Sequence, residues 1–450
     1  MKKRNIQLLL LLGVLAMMGL FSCGVDRWPA YYPLTGRDLW IDSIMREEYL
    51  WFEDIPDSKE LNYFLSPGAF LDKIKSPLDK GYSRVDTLYV VPPPSFGFDY
   101  NLYRISGNDT AYLALVTYVT PQSPASDIGL MRGEWIMQVN DDFITKKTEK
   151  LLSEGEGGKL SIGRYLLSET EEGEEESSIV QYREARLPAL RPVEDVDIPA
   201  FNIYSDGIRN IGYLAYNHFS KASGNDLLHL SQLYKEENVT DFILDLRYND
   251  GGDMEVVQLL ASLLVPSDRL NTHFATLAYS QKQQSKNCTL TLDEQLIAGG
   301  SNLNLQEVYI LTSSTTAAAS EMLINCLKPH MKVVIVGSTT KGETVATESF
   351  PSDKFQWVLR PAVCEVFNAE NQADYAQGFA PDYAVSQLRD FTRVLPLGDP
   401  DEELVSAALD IICGSIAPSE PASSSVSESE MTLVKSVKAQ RTFRSGLIIR

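Results

Sequence analysis

Basic side chains are scarce in this sequence. Forty Lys and Arg stand against sixty-one Asp and Glu in 450 residues, a formal charge of −21. A surface that grips a nucleic-acid backbone needs a basic excess, so no nucleic-acid partner is expected. Cysteine is scarce as well, with five in all: Cys23, Cys288, Cys326, Cys364 and Cys413. That excludes a disulfide scaffold. The wide spacings contain no C-x-x-C, so no zinc site is expected, and neither metal nor cofactor is called for. The Gly-rich stretch Gly155-Glu156-Gly157-Gly158 lacks the Lys-Ser/Thr ending of a phosphate-binding loop. Beyond residue 21 no apolar run is long enough to span a bilayer. Apolar material is not lacking: the chain is 44% hydrophobic, enough for real cores. Its length corresponds to about three domains.

The N-terminus carries an address. Lys2, Lys3 and Arg4 precede an apolar run from Leu8 to Phe21, which reads as a signal peptide over residues 1–22. The run ends in Leu20-Phe21-Ser22-Cys23, which resembles the lipobox of bacterial lipoproteins. In such proteins cleavage leaves an N-terminal Cys that is lipidated. Cys23 is then the lipidation site, and the body is held in the bacterial cell envelope through a membrane lipid anchor. The alternative is an ordinary secretory signal with an unrelated Cys. Outside the cytoplasm a disulfide is permitted. Cys326 and Cys413 sit among apolar residues and read as small buried hydrophobes.

Along the mature chain the pattern changes three times. Residues 23–87 read as a helical N-terminal module, with Leu39, Ile41, Ile44, Met45 and Tyr49-Leu50-Trp51 near helical spacing. Pro29, Pro33, Pro56 and Pro67 punctuate it. Residues 88–192, entered through Pro92-Pro93-Pro94, carry short strands and turns. Six Glu fall in the eight positions from Glu169 to Glu176, a run that reads as a solvated loop. Residues 193–413 alternate apolar strands with helices, which predicts βαβ crossovers and a largely parallel sheet. Strands are expected over 211–216, 241–246, 308–312 and 333–336. Helices are expected over 226–236, 254–264, 320–327 and 402–412. Residues 414–450 read as a Ser-rich linker and a basic tail, the last twenty residues holding five basic and no acidic side chains.

Three stretches carry candidate chemistry. The run from Ser123 to Asn140, with Gly129-Leu130 and Val139-Asn140, resembles the PDZ signature. Upstream, Phe96-Gly97-Phe98 resembles that family's carboxylate-binding loop, in which Gly lets successive backbone N–H groups converge on a peptide terminus. The alternative is a PDZ-like fold that only packs against its neighbour. The second stretch is Asp245-Leu246-Arg247-Tyr248-Asn249-Asp250-Gly251-Gly252, a loop between strand and helix. It is either an oxyanion nest or a plain turn. The third is Ser313 to Met322, where small residues surround Ser320 at a helix start. That serine is either a nucleophile with open approach or a helix cap.

The order of these motifs is similar to that of the C-terminal processing peptidases, or tail-specific proteases. Asp245 to Gly252, Ser314 to Glu321 and Val336 to Gly342 match the family skeleton, and Ile211-Gly212-Tyr213-Leu214 and Gly378-Phe379-Ala380-Pro381-Asp382 match further landmarks. Glu48-Tyr49-Leu50-Trp51-Phe52 resembles the helical module of Bacteroidetes-type lipoprotein members. The resemblance implies a multidomain α/β fold: a helical N-terminal module, a PDZ-like β-rich domain and an α/β, ββα-spiral-like serine peptidase core. It implies a serine-type endopeptidase whose substrates are polypeptide C-termini. Ser320 matches the nucleophile, and Gly251 or Gly252 with the N–H of Ser320 matches the oxyanion hole. The base does not match: the family Lys position is occupied by Glu343, while Lys341 lies two residues earlier. Two extended residues span roughly 7 Å. Either a register shift lets Lys341 reach Ser320, or the base is lost and the chain is a peptide-binding pseudopeptidase. His218 is the fallback base.

Overall fold

In the computed structural model residues 28–105, 110–169, 175–414, 431–440 and 442–449 are described. The signal segment, Cys23 and the centre of the acidic run lie outside them. The chain divides into two units, Met1–Glu47 with Trp51–Leu78, and Glu48–Leu50 with Asp79–Arg450.

The first unit is helical, as expected. Helix α1 (Trp28–Glu48) and α2 (Pro67–Ile74) bury Ile41, Met45, Phe70, Leu71 and Ile74. Pro29 is the second residue of α1, where the N–H groups have no intrahelical partner to lose, so proline is tolerated there. Pro33, the sixth residue, gives up one intrahelical hydrogen bond and still lies within α1 instead of ending it. Pro67 opens α2 for the same reason as Pro29.

The second unit begins with an antiparallel body. Strands β1 (Phe98–Ile105), β2 (Tyr112–Val119), β3 (Trp135–Val139), β4 (Gly158–Glu169) and β5 (Glu175–Leu187) pair in chain order. The one-turn helix α3 (Pro124–Asp127) joins β2 to β3. One face of the sheet buries Tyr100, Leu102, Val116, Ile136 and Ile162 with Ala125 and Leu130. The Glu run ends β4 and begins β5.

An α/β body follows. Along the chain come β6 (Ala200–Ser205), β7 (Asn210–Ala215), α4 (Gly224–Glu236), β8 (Val239–Asp245), β9 (Gly251–Asp253) and α5 (Met254–Leu264). Then come β10 (His273–Tyr279), β11 (Cys288–Thr291), β12 (Glu307–Thr312), α6 (Ala319–Leu327) and β13 (Lys332–Gly337). The body closes with β14 (Val345–Thr347), β15 (Ala362–Asn368), β16 (Tyr383–Ala384) and α7 (Glu403–Ile412). One sheet runs β6-β7-β8-β12-β13-β16, and every ladder except β6/β7 is parallel. Both faces are covered, which is why these strands read as unbroken apolar runs. Val308 and Ile310 of β12 face the core that holds α5 and α6. Tyr309 and Leu311 face Leu404, Val405 and Ala408 of α7.

The end of the chain departs from its expected role as linker and tail. Strand β17 (Met431–Val437) pairs antiparallel with β1. Strand β18 (Gly446–Ile448) is inserted between β9 and β14, parallel to both, in a sheet of order β9-β18-β14-β15-β10-β11. For β18 the reason is apolar content among the basic residues, with Leu447 1% exposed within the main core, whereas β17 is mostly exposed and is held by its ladder to β1. Among the described cysteines none is paired. Cys326 is buried as expected, and Cys364 is buried with it, but Cys413 is exposed at the end of α7.

Candidate active site

The Asp245–Gly252 loop is fastened from below by a buried ion cluster. Arg247 is fully buried. It contacts Asp245 at 2.8 Å and takes Glu402 in a two-pronged grip, at 2.6 and 2.9 Å. Tyr213 donates its hydroxyl to Asp245 at 2.8 Å. Arg132, from the stretch that resembles a PDZ signature, reaches Glu402 at 3.1 Å. Glu402 also caps α7, accepting from the N–H groups of Leu404 and Val405. Burial alone would push the Glu402 carboxyl up. The Arg247 guanidinium, helped by Arg132, holds it down at about 2. The Asp-Leu-Arg part of the motif is therefore an anchor, and the chemistry is left to the residues after it.

Ser320 stands in the first turn of α6, after a loop stitched to that anchor. Ser313 donates its hydroxyl to the Arg247 carbonyl at 2.5 Å, and Thr316 donates to the Leu246 carbonyl at 2.8 Å. Ala317 N–H reaches the Asn249 carbonyl at 3.1 Å. Ala318 then takes φ of +51°, a left-handed value that a residue with a Cβ rarely adopts. Ser320 Oγ comes to 3.2 Å from the same Asn249 carbonyl, across 71 residues of sequence. Its side chain is buried, not standing open as the small neighbours suggested.

The Gly pair sits around the same Asn249. Gly251 and Gly252 have φ of +144° and +131°. A Cβ on Gly251 would run into the Gly446 backbone, and one on Gly252 into the Phe219 backbone. Only glycine fits both places. Gly251 N–H donates to Asn249 Oδ1 at 3.1 Å, and Ser320 N–H donates to the Ala317 carbonyl at 3.0 Å. Ser320, Gly251 and Gly252 are thus brought together, with two of the expected oxyanion donors engaged inside the loop.

Lys341 approaches the same helix start through backbone contacts. Its N–H donates to the Thr316 carbonyl at 3.0 Å. Its ammonium turns to Glu343 Oε1 at 2.5 Å, and its side chain is half exposed. The Lys341 ammonium is thus turned to a carboxylate and not to Ser320. A lysine base needs a dry pocket without an opposing carboxylate, and this position supplies neither. Arg84 lies 3.9 Å from the same Glu343 oxygen. The neighbouring Asp250 carboxyl is pushed up by burial and by Glu343, against the pull of Arg84 and Lys341.

Glu321 escaped the sequence reading, although it follows Ser320 in the motif. Its carboxylate accepts from Ala318 N–H at 3.0 Å, Thr340 Oγ1 at 2.5 Å, Gly342 N–H at 2.6 Å and Glu343 N–H at 2.8 Å. It ties the Lys341-Gly342-Glu343 loop to the nucleophile turn. Ser-Glu in a motif gives no hint of this, because the donors come from a loop twenty residues away.

His218 precedes Phe219, whose backbone clamps the Gly pair. Phe219 N–H donates to the Gly251 carbonyl at 3.0 Å, and the Phe219 carbonyl accepts from Asp253 N–H at 2.6 Å. The imidazole is buried, and its Nδ1 finds no partner among the described residues. Burial, with Arg360 adding, pushes it down to about 4, so it is neutral at pH 7. Phe443 stacks on the ring with centroids 4.4 Å apart.

Phe96-Gly97-Phe98 leads into β1. Both phenylalanines are buried in the core of the antiparallel body, so any peptide contact there is made by backbone. Gly97 has φ of +75°, and a Cβ on it would strike Ser123. Gly97 N–H donates to Ser95 Oγ at 3.0 Å, and its carbonyl accepts from Thr120 N–H at 2.8 Å.

The profile described as Peptidase family S41 matches residues 210–385, and that of the Peptidase S41 N-terminal domain matches residues 38–84. The chain is similar to a carboxyl-terminal-processing protease of Synechocystis, 23% identical over 305 residues, covering 67% of this chain and 65% of that protein. It is similar to a chloroplastic carboxyl-terminal-processing peptidase 3 of Arabidopsis thaliana, 24% identical, covering 52% of this chain and 43% of that protein. The matches thus span less than two thirds of these relatives' own length. A crystal structure of a candidate S41 protease from Bacteroides fragilis is 43% identical, with a TM-score of 0.80, covering 84% of this chain and 98% of that one.

Proposed function

The chain belongs to peptidase family S41, and on that premise we propose that it is a serine-type endopeptidase cutting polypeptides near their C-termini. The observation that carries this is Ser320 Oγ, held 3.2 Å from the Asn249 carbonyl beside the Gly251-Gly252 turn. The hydroxyl attacks the scissile carbonyl, and N–H groups at Gly251, Gly252 and Ser320 receive the oxyanion. For that, the bonds to Asn249 Oδ1 and the Ala317 carbonyl open as substrate enters. Residues 88–192 act as a PDZ-like module, with Phe96-Gly97-Phe98 receiving a terminal carboxylate and β1 adding the peptide as a strand. Residues 193–413 form the ββα-spiral-like core. Cys23 anchors the protein by lipid in the bacterial envelope, so Cys23→Ala should move it to the soluble fraction; unchanged membrane retention would count against the anchor.

The base is Lys341 or His218. Lys341 lies two residues before the position to which the family resemblance points, and it is bound to Glu343. His218 is neutral and unpaired at Nδ1. Kinetics on a peptide with a free C-terminus decide between them. Ser320→Ala should abolish turnover and labelling by a serine-reactive probe. Loss of the true base should lower kcat about 10²–10⁴-fold. If Lys341→Ala keeps its rate and His218→Ala does not, the base is the histidine. The Lys341–Glu343 ion pair also favours a second reading, a peptide-binding pseudopeptidase. Inert wild type, no probe labelling, and activity appearing in Glu343→Lys would establish it.

A further inference from the structure

Two strands of the tail lie along the path that a bound polypeptide would follow. β17 runs antiparallel to β1 in the register Met431↔Ile105 to Val437↔Tyr100, so its C-terminal end points toward Phe96-Gly97-Phe98. An added peptide strand with its terminus at that loop would have the same direction and edge. The chain does not stop there. Ala439 N–H donates to Asp99 at 2.8 Å, Thr442 N–H to Asp195 at 2.6 Å, and Phe443 covers the His218 ring. Gly446 N–H then donates to the Asp250 carbonyl at 3.0 Å, and β18 lies between β9, which contains the Gly pair, and β14. The Gly251 position is so close to the Gly446 backbone that no Cβ would fit between them. A backbone seated as a strand against the Gly pair is what a substrate must present to an oxyanion turn.

We propose that the described tail residues 431–440 and 442–449 are an intramolecular occupant of the peptide path, closing both the β1 edge and the Gly251-Gly252 cleft until the tail is displaced. The inference rests on reading the Ser320 centre as one that accepts polypeptide chains. It also names the occupant that substrate must replace: an extended segment, basic and apolar by turns, that enters as a strand. Sixteen residues, 415–430, separate the tail from the end of the α7 region in the sequence. A segment of the same chain competes at an effective concentration on the order of millimolar, so a free peptide competes poorly. If the tail is seated about 90–99% of the time, apparent affinity for added peptide falls about 10–100-fold.

The test uses the full chain carrying Ser320→Ala, with a fluorescent synthetic peptide of the sequence 431–450 as probe. Gly446→Pro removes the N–H that holds β18 to Asp250, and proline cannot adopt the φ of +97° found there. With native-like circular dichroism, this variant should bind the probe at least about 10-fold more tightly than the Ser320→Ala parent. Gly446→Pro with Ser320 intact should gain peptidase rate by a similar factor. Tighter binding without any hydrolysis upholds the occupant and refutes the peptidase reading. A folded variant that binds no better overturns the occupant. Hydrogen exchange on the unmodified chain gives an answer that does not depend on the variant folding. Amides of 431–437 and 446–448 should exchange faster than those of β12, and faster still with excess probe peptide. Protection equal to β12 and unmoved by the peptide would make the tail a permanent strand and end the proposal.

Discussion

Replacing Glu402 with Gln should loosen the whole site from a distance. Its carboxylate is the shared counter-charge of two guanidiniums, Arg247 at 2.6 Å and Arg132 at 3.1 Å, and it is 0% exposed. An ordinary value of 4.5 held at about 2 in the fold corresponds to about 3 kcal/mol of stability at neutral pH, at 1.36 kcal/mol per pH unit. Breaking a buried ion pair typically costs about 3–5 kcal/mol, which agrees. The folded value lies below the unfolded one, so the contribution is complete above pH 4.5 and is lost as pH falls through about 2. At pH 3 about 1.4 kcal/mol remains by the same linkage. Denaturant unfolding of wild type and Glu402→Gln should therefore differ by about 3 kcal/mol at pH 7 and by less than half of that at pH 3. Peptidase activity of the variant should fall too, because Arg247 anchors the turn that bears Asn249 and the Gly pair. A difference below about 1 kcal/mol at pH 7, or one that does not shrink at pH 3, would refute the anchor role.

Gly252→Ala should fold poorly and lose activity, because its Cβ meets the Phe219 backbone, while Gly207→Ala, with a φ of +84° but open space, should lose only about 1 kcal/mol; chemical denaturation compares the two. Equal losses would mean that strain and not the clasp against Phe219 governs that turn. Free-carboxylate peptides should bind the Ser320→Ala chain more tightly than amidated ones in a polarisation titration, if the Phe96-Gly97-Phe98 backbone receives the terminus. Equal affinities would remove that loop from the site.

The parallel sheet was legible in the sequence because β8, β12 and β13 are buried on both faces and carry continuous apolar runs, with helices spaced between them. Ser320 and the Gly pair were legible as motifs, and their meeting at Asn249 follows from a sheet that puts both strand ends on one side. What escaped was everything decided by long-range pairing. Glu321 reads as a helical residue until the loop at 340–343 supplies its donors. Arg132 lies unremarked within its signature, and its partner Glu402 comes from 270 residues away. The tail was misread because seven residues with Lys435 among them look solvated, and three residues, Gly446-Leu447-Ile448, are too short for any periodicity to register. Their order comes from partners: β1 offers an open edge, and β9 and β14 offer a slot between two strands. A short strand with weak intrinsic preference, held by edges that other chains could also use and by the single core side chain of Leu447, is the kind of element that competition can displace. Its weakness in the sequence and its position against Gly251 are therefore two sides of the same physical fact.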